Sequence, residues 1–187
     1  IVFIICIAVF TVAGLIPVKD KIPGTHYSTY VEMEDGTKIA IRYLLPLNMD
    51  SGTKIPAIVE GTRYGTLNKE SFLLAALINL GIAREIPPSS LVHFLEAQYA
   101  YVAIDARGSG ASFGQRDMEW SKQEIADMGE VIDWITKQKW SNGEVGLYGV
   151  SYSANTAELA TALNNPAVKA AAPLYADFEP TSSGIMP

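Results

Sequence analysis

Ser151 stands where a serine can do chemistry. It follows the short apolar run Val145–Val150, which has strand character, and precedes Ala154–Leu163, which is rich in good helix formers. Gly149 lies two residues before it and Ser153 two residues after. A strand that turns straight into a helix brings those two positions together, so small residues are needed there. Such a turn holds the serine in a strained backbone region and lifts its Oγ clear of the chain. The N–H of Tyr152 then lies at the helix N-terminus, where partial positive charge favours a developing oxyanion. The chemistry this spacing suits is acyl transfer, with the serine as nucleophile. The same Gly-x-Ser triplet also suits a plainer role, in which Ser151 caps a helix after a buried strand.

A serine nucleophile needs a general base and an acid to orient it. The two histidines, His26 and His93, both precede Ser151. His93 falls inside a predicted helix, where a packed or surface role suits it better. His26 falls before the first hairpin, so neither is a good base. Asp177, just after the strand that follows the serine, is a candidate acid in a variant arrangement. The histidines and the lone Cys6 form no metal-ligand cluster. Gly108, Gly110 and Gly114 do not have G-x-G-x-x-G spacing, and no helix opens at the third. No metal, nucleotide or other cofactor is expected.

The elements that must hold Ser151 can be read from periodicity. Tyr27–Met33 and Lys38–Leu45 alternate around Asp35-Gly36, a hairpin signal. Ile55–Val59 reads as a strand, and Glu60–Thr66 follows its C-terminal end, where α/β folds carry their ligands. Lys69–Leu80 reads as a helix. Ser89 or Ser90 caps another that runs to Gln98. Tyr99–Ile104 is a strand, and Gln123–Gln138 a helix with Ile125, Met128, Ile132 and Ile135 near helical spacing. Its Glu124, Asp127, Glu130 and Asp133 read as a solvated face. Val168–Leu174 is one more strand. This alternation predicts an α/β fold: a mostly parallel sheet with helices on both faces, right-handed crossovers and an N-terminal antiparallel hairpin.

With 187 residues, 49% of them hydrophobic, the chain is long enough for one domain with a real core. A net charge of −6 argues against a nucleic-acid partner. Residues 1–17 are almost wholly apolar and are closed by Lys19, Asp20 and Lys21. They read as the apolar part of a secretory signal or an uncleaved membrane anchor within residues 1–20, with the folded domain from 21 to 187. Thr11 and Ala13 are small enough for cleavage before Gly14. An exported protein is therefore expected, whether periplasmic, secreted or membrane-anchored. A buried strand or helix is the other reading of this run.

Five segments, in order, carry a resemblance. They are Val31-Glu-Met-Glu-Asp-Gly-Thr-Lys-Ile-Ala, Thr62-Arg-Tyr-Gly, Asp105-Ala-Arg-Gly-Ser-Gly-Ala-Ser, Trp140-Ser-Asn-Gly-Glu-Val-Gly and Gly149-Val-Ser-Tyr-Ser. Their order and spacing resemble the Xaa-Pro dipeptidyl-peptidase / cocaine esterase family of α/β-hydrolases, over about Tyr27 to Pro180. The resemblance implies that Ser151 is acylated and that the Tyr152 N–H is one oxyanion donor. It implies that Tyr64 supplies its phenol O–H as the other, although a tyrosine there also suits a pocket wall. Ser153 departs from the usual final glycine. Asp105 and Arg107 look structural. In that family the acid and histidine come from later strands, so both are expected beyond Pro187, and the chain is expected to be an N-terminal part with little turnover alone. The implied reaction is hydrolysis of an acyl ester, an α-amino ester or an Xaa-Pro dipeptide bond. A non-catalytic binding protein on a hydrolase-like scaffold is the alternative.

Overall fold

The computed structural model describes residues 22–66 and 89–177, with isolated positions at 11, 77 and 80. The chain divides into two compact units, residues 1–23 with 68–92 and residues 24–67 with 93–187. The predicted leader and the predicted helix Lys69–Leu80 fall almost wholly outside the described residues. Among the described residues, no helix is long and apolar enough to cross a membrane. In the first unit, the opening turns of helix α1 (Ser89–Glu96) are described, with Leu91 buried.

The second unit carries the sheet. Its elements are β1 (Thr25–Glu32), β2 (Lys38–Leu45), β3 (Ile55–Thr62), β4 (Ala100–Asp105), α2 (Lys122–Thr136), β5 (Ser141–Val150), α3 (Tyr152–Thr161) and β6 (Val168–Leu174). The strand order is β1-β2-β4-β3-β5-β6. The β1–β2 and β2–β4 pairs are antiparallel, and the β4–β3, β3–β5 and β5–β6 pairs are parallel. The first hairpin closes because Asp35 Oδ1 accepts the Thr37 N–H at 2.9 Å, while Gly36 takes φ 80°. β1 starts two residues earlier than the alternation suggests, so His26 lies within a strand. β3 runs on to Thr62, because parallel pairing with β4 continues to Thr62↔Asp105.

The alternation of β3, β4 and β5 decides where the core sits. Ala57 and Val59, Val102 and Ile104, and Val145 and Leu147 all face the same side. There they meet Met128, Val131, Ile132 and Ile135 of α2 and Ala157 and Ala160 of α3. Val131, Ile132 and Ile135 are fully buried, each contributing about 1.5–3 kcal/mol relative to exposure. The intervening residues face the other side, where Phe94 of α1 stacks on Tyr101 at 6.4 Å and meets Tyr148 edge-on at 5.2 Å. Helices α2 and α3 thus cover one face, and Phe94 of α1 packs on the other.

Candidate active site

Ser151 occupies the tight turn between β5 and α3 with φ 57° and ψ −120°. A positive φ is uncommon for a residue with a Cβ. The turn is fixed from both sides. The Ser151 N–H donates to Leu174 O of β6 at 3.0 Å, and its carbonyl accepts the first bonds of α3 from Ala154 and Asn155. Gly149 is required by contact: a Cβ there would lie 2.2 Å from the backbone C and O of Ser153. The contact involves the backbone of Ser153, so a serine fits at 153 where the family pattern has glycine. Ser151 is exposed, and among the described residues its hydroxyl has no hydrogen-bond partner.

Tyr152 opens α3, so its N–H has no partner within the helix. Its side chain is buried in a cluster that holds this end of the helix still. The ring stacks on Trp120 at 4.9 Å. The Trp120 Nε1–H donates to the Tyr152 carbonyl at 3.3 Å. The Tyr152 hydroxyl donates to Glu124 Oε1 and accepts from Arg116 Nη1 at 2.8 Å. Burial, and then the Glu124 carboxylate, push the Tyr152 phenol well above its ordinary range.

Tyr64 follows β3, with its N–H on Thr62 Oγ1 at 3.1 Å and its ring exposed. It meets the Tyr152 ring edge-on at 6.1 Å. The structure therefore gathers Ser151, Tyr152 and Tyr64 at the C-terminal ends of the neighbouring strands β3 and β5. It brings neither histidine into a hydrogen bond with Ser151. His26 Nδ1 is 2.7 Å from Arg42 Nη2, and His93 sits on the exposed side of α1 beside Glu96. Asp177 is exposed and gives its N–H to Asn155 Oδ1 at 2.9 Å.

The solvated acidic face expected on α2 is overturned at two positions. Glu124 is 2% exposed and Asp127 3%. Glu124 accepts from the Trp120 N–H at 3.2 Å as well as from Tyr152. A signal for it was present: Ser121 caps α2 by accepting the Glu124 N–H, the S-x-x-E pattern of a capping box. Asp127 receives two N–H bonds from Arg107, at 2.9 and 2.6 Å. Arg107 also reaches Asp35 and Thr37 in the first hairpin, both at 2.7 Å. The Arg107 bond, and then the Thr37 N–H, hold the Asp35 carboxyl down at about 2. Asp105 is fully buried and accepts from the Thr66 and Ala111 N–H groups. Gly110 lets the loop wrap that carboxylate, since a Cβ there would lie 2.3 Å from Asp105 Oδ2. Asp105 and Arg107 thus brace the loops around the site.

A mixed six-stranded sheet with packed helices, and an exposed serine at positive φ between strand and helix, defines an α/β-hydrolase. Structural neighbours bear this out. A CocE/NonD family hydrolase from Staphylococcus aureus superposes with a TM-score of 0.66 and 33% identity, covering 82% of this chain and 28% of that one. Residues 35–185 match the X-Pro dipeptidyl-peptidase (S15) family, and the chain belongs to it. A Mycobacterium bovis protein assigned to the serine esterases is 40% identical over 159 residues, covering 83% of this chain and 25% of the relative. The cocaine esterase of a Rhodococcus species is 27% identical over 149 residues, covering 80% and 23%. The chain spans about a quarter of the length of these curated relatives.

Proposed function

We propose that this chain carries the nucleophile and the oxyanion site of a serine hydrolase that cleaves an ester or a peptide bond. One observation carries the reading: Ser151 is exposed, at φ 57°, immediately before the free first N–H of α3. Its Oγ attacks the carbonyl carbon and its proton passes to a base. The tetrahedral oxyanion is held by the Tyr152 N–H and the Tyr64 O–H, worth about 10²–10³ in rate per donor in comparable sites. Collapse expels the alcohol or amine, which takes up the proton. Water then enters, and a second tetrahedral intermediate releases the acid and free Ser151. We assign the histidine and the acid to the part of the protein outside the quarter matched here. The substrate class is an acyl ester, an α-amino ester or an Xaa-Pro dipeptide, and no cofactor is required. Export belongs to the same reading, carried by the apolar run 1–17. Recovery of a soluble cytoplasmic form that retains residues 1–13 would overturn it.

The test is a fluorophosphonate probe on the protein as its source makes it, with the labelled residue and the intact mass read together. Label on Ser151, and loss of at least about a thousandfold in turnover on Ser151→Ala, are expected. A second reading, a binding protein on the same scaffold, is favoured by one observation: among the described residues no histidine reaches Ser151. An unlabelled Ser151 in the intact protein would select it.

A further inference from the structure

Arg63 takes no part in the reaction as written above, yet it bonds the Tyr64 phenol and lies against the Tyr152 ring. Its guanidinium lies 5.1 Å from the Tyr64 ring centroid and 4.9 Å from that of Tyr152. Its Nη2 donates to the Tyr64 phenol oxygen at 3.3 Å. Its Nη1 is paired with Glu119, next in the chain to the Trp120 that stacks on Tyr152. One cation therefore links the segment after β3, the start of α3 and the approach to α2.

We propose that Arg63 is a positioning residue that makes Tyr64 a directed donor, an inference that rests on the oxyanion role of Tyr64 given above. The argument is one of hydrogen-bond inventory. A phenol has one proton to give and lone pairs to receive with, whereas a guanidinium has donors and no acceptor. With Arg63 donating to its oxygen, Tyr64 cannot turn its own proton toward Arg63. That proton is left for another acceptor, which in the reading above is the substrate oxyanion at Ser151. Accepting that bond also makes the phenol a better donor, because linked hydrogen bonds polarise one another. Arginine suits this task better than lysine, because its planar fork can serve Glu119 and Tyr64 at once while lying on an aromatic face. The pairing with Glu119 makes Arg63 a poor free cation for a substrate carboxylate, so its effect falls on kcat.

The experiment measures kcat and KM for a 4-nitrophenyl ester on the full-length protein. The variants are Arg63→Gln, Arg63→Lys, Tyr64→Phe and the Arg63→Gln/Tyr64→Phe double substitution. Arg63→Gln is expected to lower kcat about tenfold with KM within about twofold, and Arg63→Lys to recover part of the loss. In the Tyr64→Phe background, Arg63→Gln is expected to cost less than about twofold, because its route of action has been removed. A wild-type kcat for Arg63→Gln overturns the inference. So does an undiminished loss in the Tyr64→Phe background, or a loss confined to KM. If Tyr64→Phe alone leaves kcat unchanged, the oxyanion role of Tyr64 fails first, and this inference fails with it.

Discussion

Arg107 and Asp127 form a two-pronged ion pair inside the protein, with bonds of 2.9 and 2.6 Å and residue exposures of 5% and 3%. Arg107→Met leaves the Asp127 carboxylate buried without its cation. Breaking such a pair from one side costs about 3–5 kcal/mol. Chemical denaturation should show that loss with an unchanged far-ultraviolet spectrum at low denaturant. A midpoint shift equivalent to less than 1 kcal/mol, on the order of an exposed pair, would show that Asp127 is well solvated instead.

Asp35 shares the same arginine but faces solvent, and its carboxyl titrates at about 2 in the fold against 3.8 for the free side chain. A depressed folded value means the stabilisation is complete above about pH 4 and drains away as the pH falls through about 2. Asp35→Asn should flatten that part of the acid-stability profile. If wild type and Asp35→Asn lose stability in parallel between pH 4 and pH 2, this linkage is absent.

Gly149→Ala should damage the turn that carries Ser151 more than an ordinary small-residue change would. The added methyl falls 2.2 Å from the Ser153 backbone, which cannot swing aside as a side chain could. We expect a loss of about 3 kcal/mol or more and a marked fall in fluorophosphonate labelling. Thermal melting and the labelling rate give the two readouts, and a variant that melts and labels like wild type would refute the contact.

Tyr152→Phe separates main chain from side chain. The N–H proposed as an oxyanion donor survives, while Glu124 and Arg116 lose the hydroxyl between them. Stability should drop by about 1–3 kcal/mol, with turnover of the full-length protein kept within about tenfold. The wild-type protein should also lose stability above about pH 10. The unfolded phenol releases its proton there, whereas burial keeps the folded one protonated. Tyr152→Phe should lack that alkaline component, and an identical alkaline limb in both proteins would exclude Tyr152 as its source.

Much of the scaffold was legible because its signals are local. Asp35-Gly36 announces the hairpin, and the apolar run before Ser151 and the helix formers after it announce the turn. Val168–Leu174 matches the observed strand residue for residue. The burial of Glu124 and Asp127 is not legible, because helical spacing shows only which residues share a face. It does not show that an arginine from a distant loop and a tyrosine from a later helix will cover that face. The place of Arg63 is hidden in the sequence for a similar reason. Its meaning lies in two rings and a carboxylate that strand pairing, rather than sequence proximity, places around it.

The parallel pairing of β3 with β5 has a kinetic consequence. Val59 lies opposite Leu147, with Tyr64 shortly after the end of β3 and Ser151 directly after β5. The two are far apart along the chain, so the site has no local precursor. The pairing must close a long loop first, which makes it a slow event. A slip of one residue would displace one side of the site by about 3.3 Å relative to the other. Competence to react should therefore be the last property to return on refolding, arriving with the slowest phase and after the secondary structure is already in place.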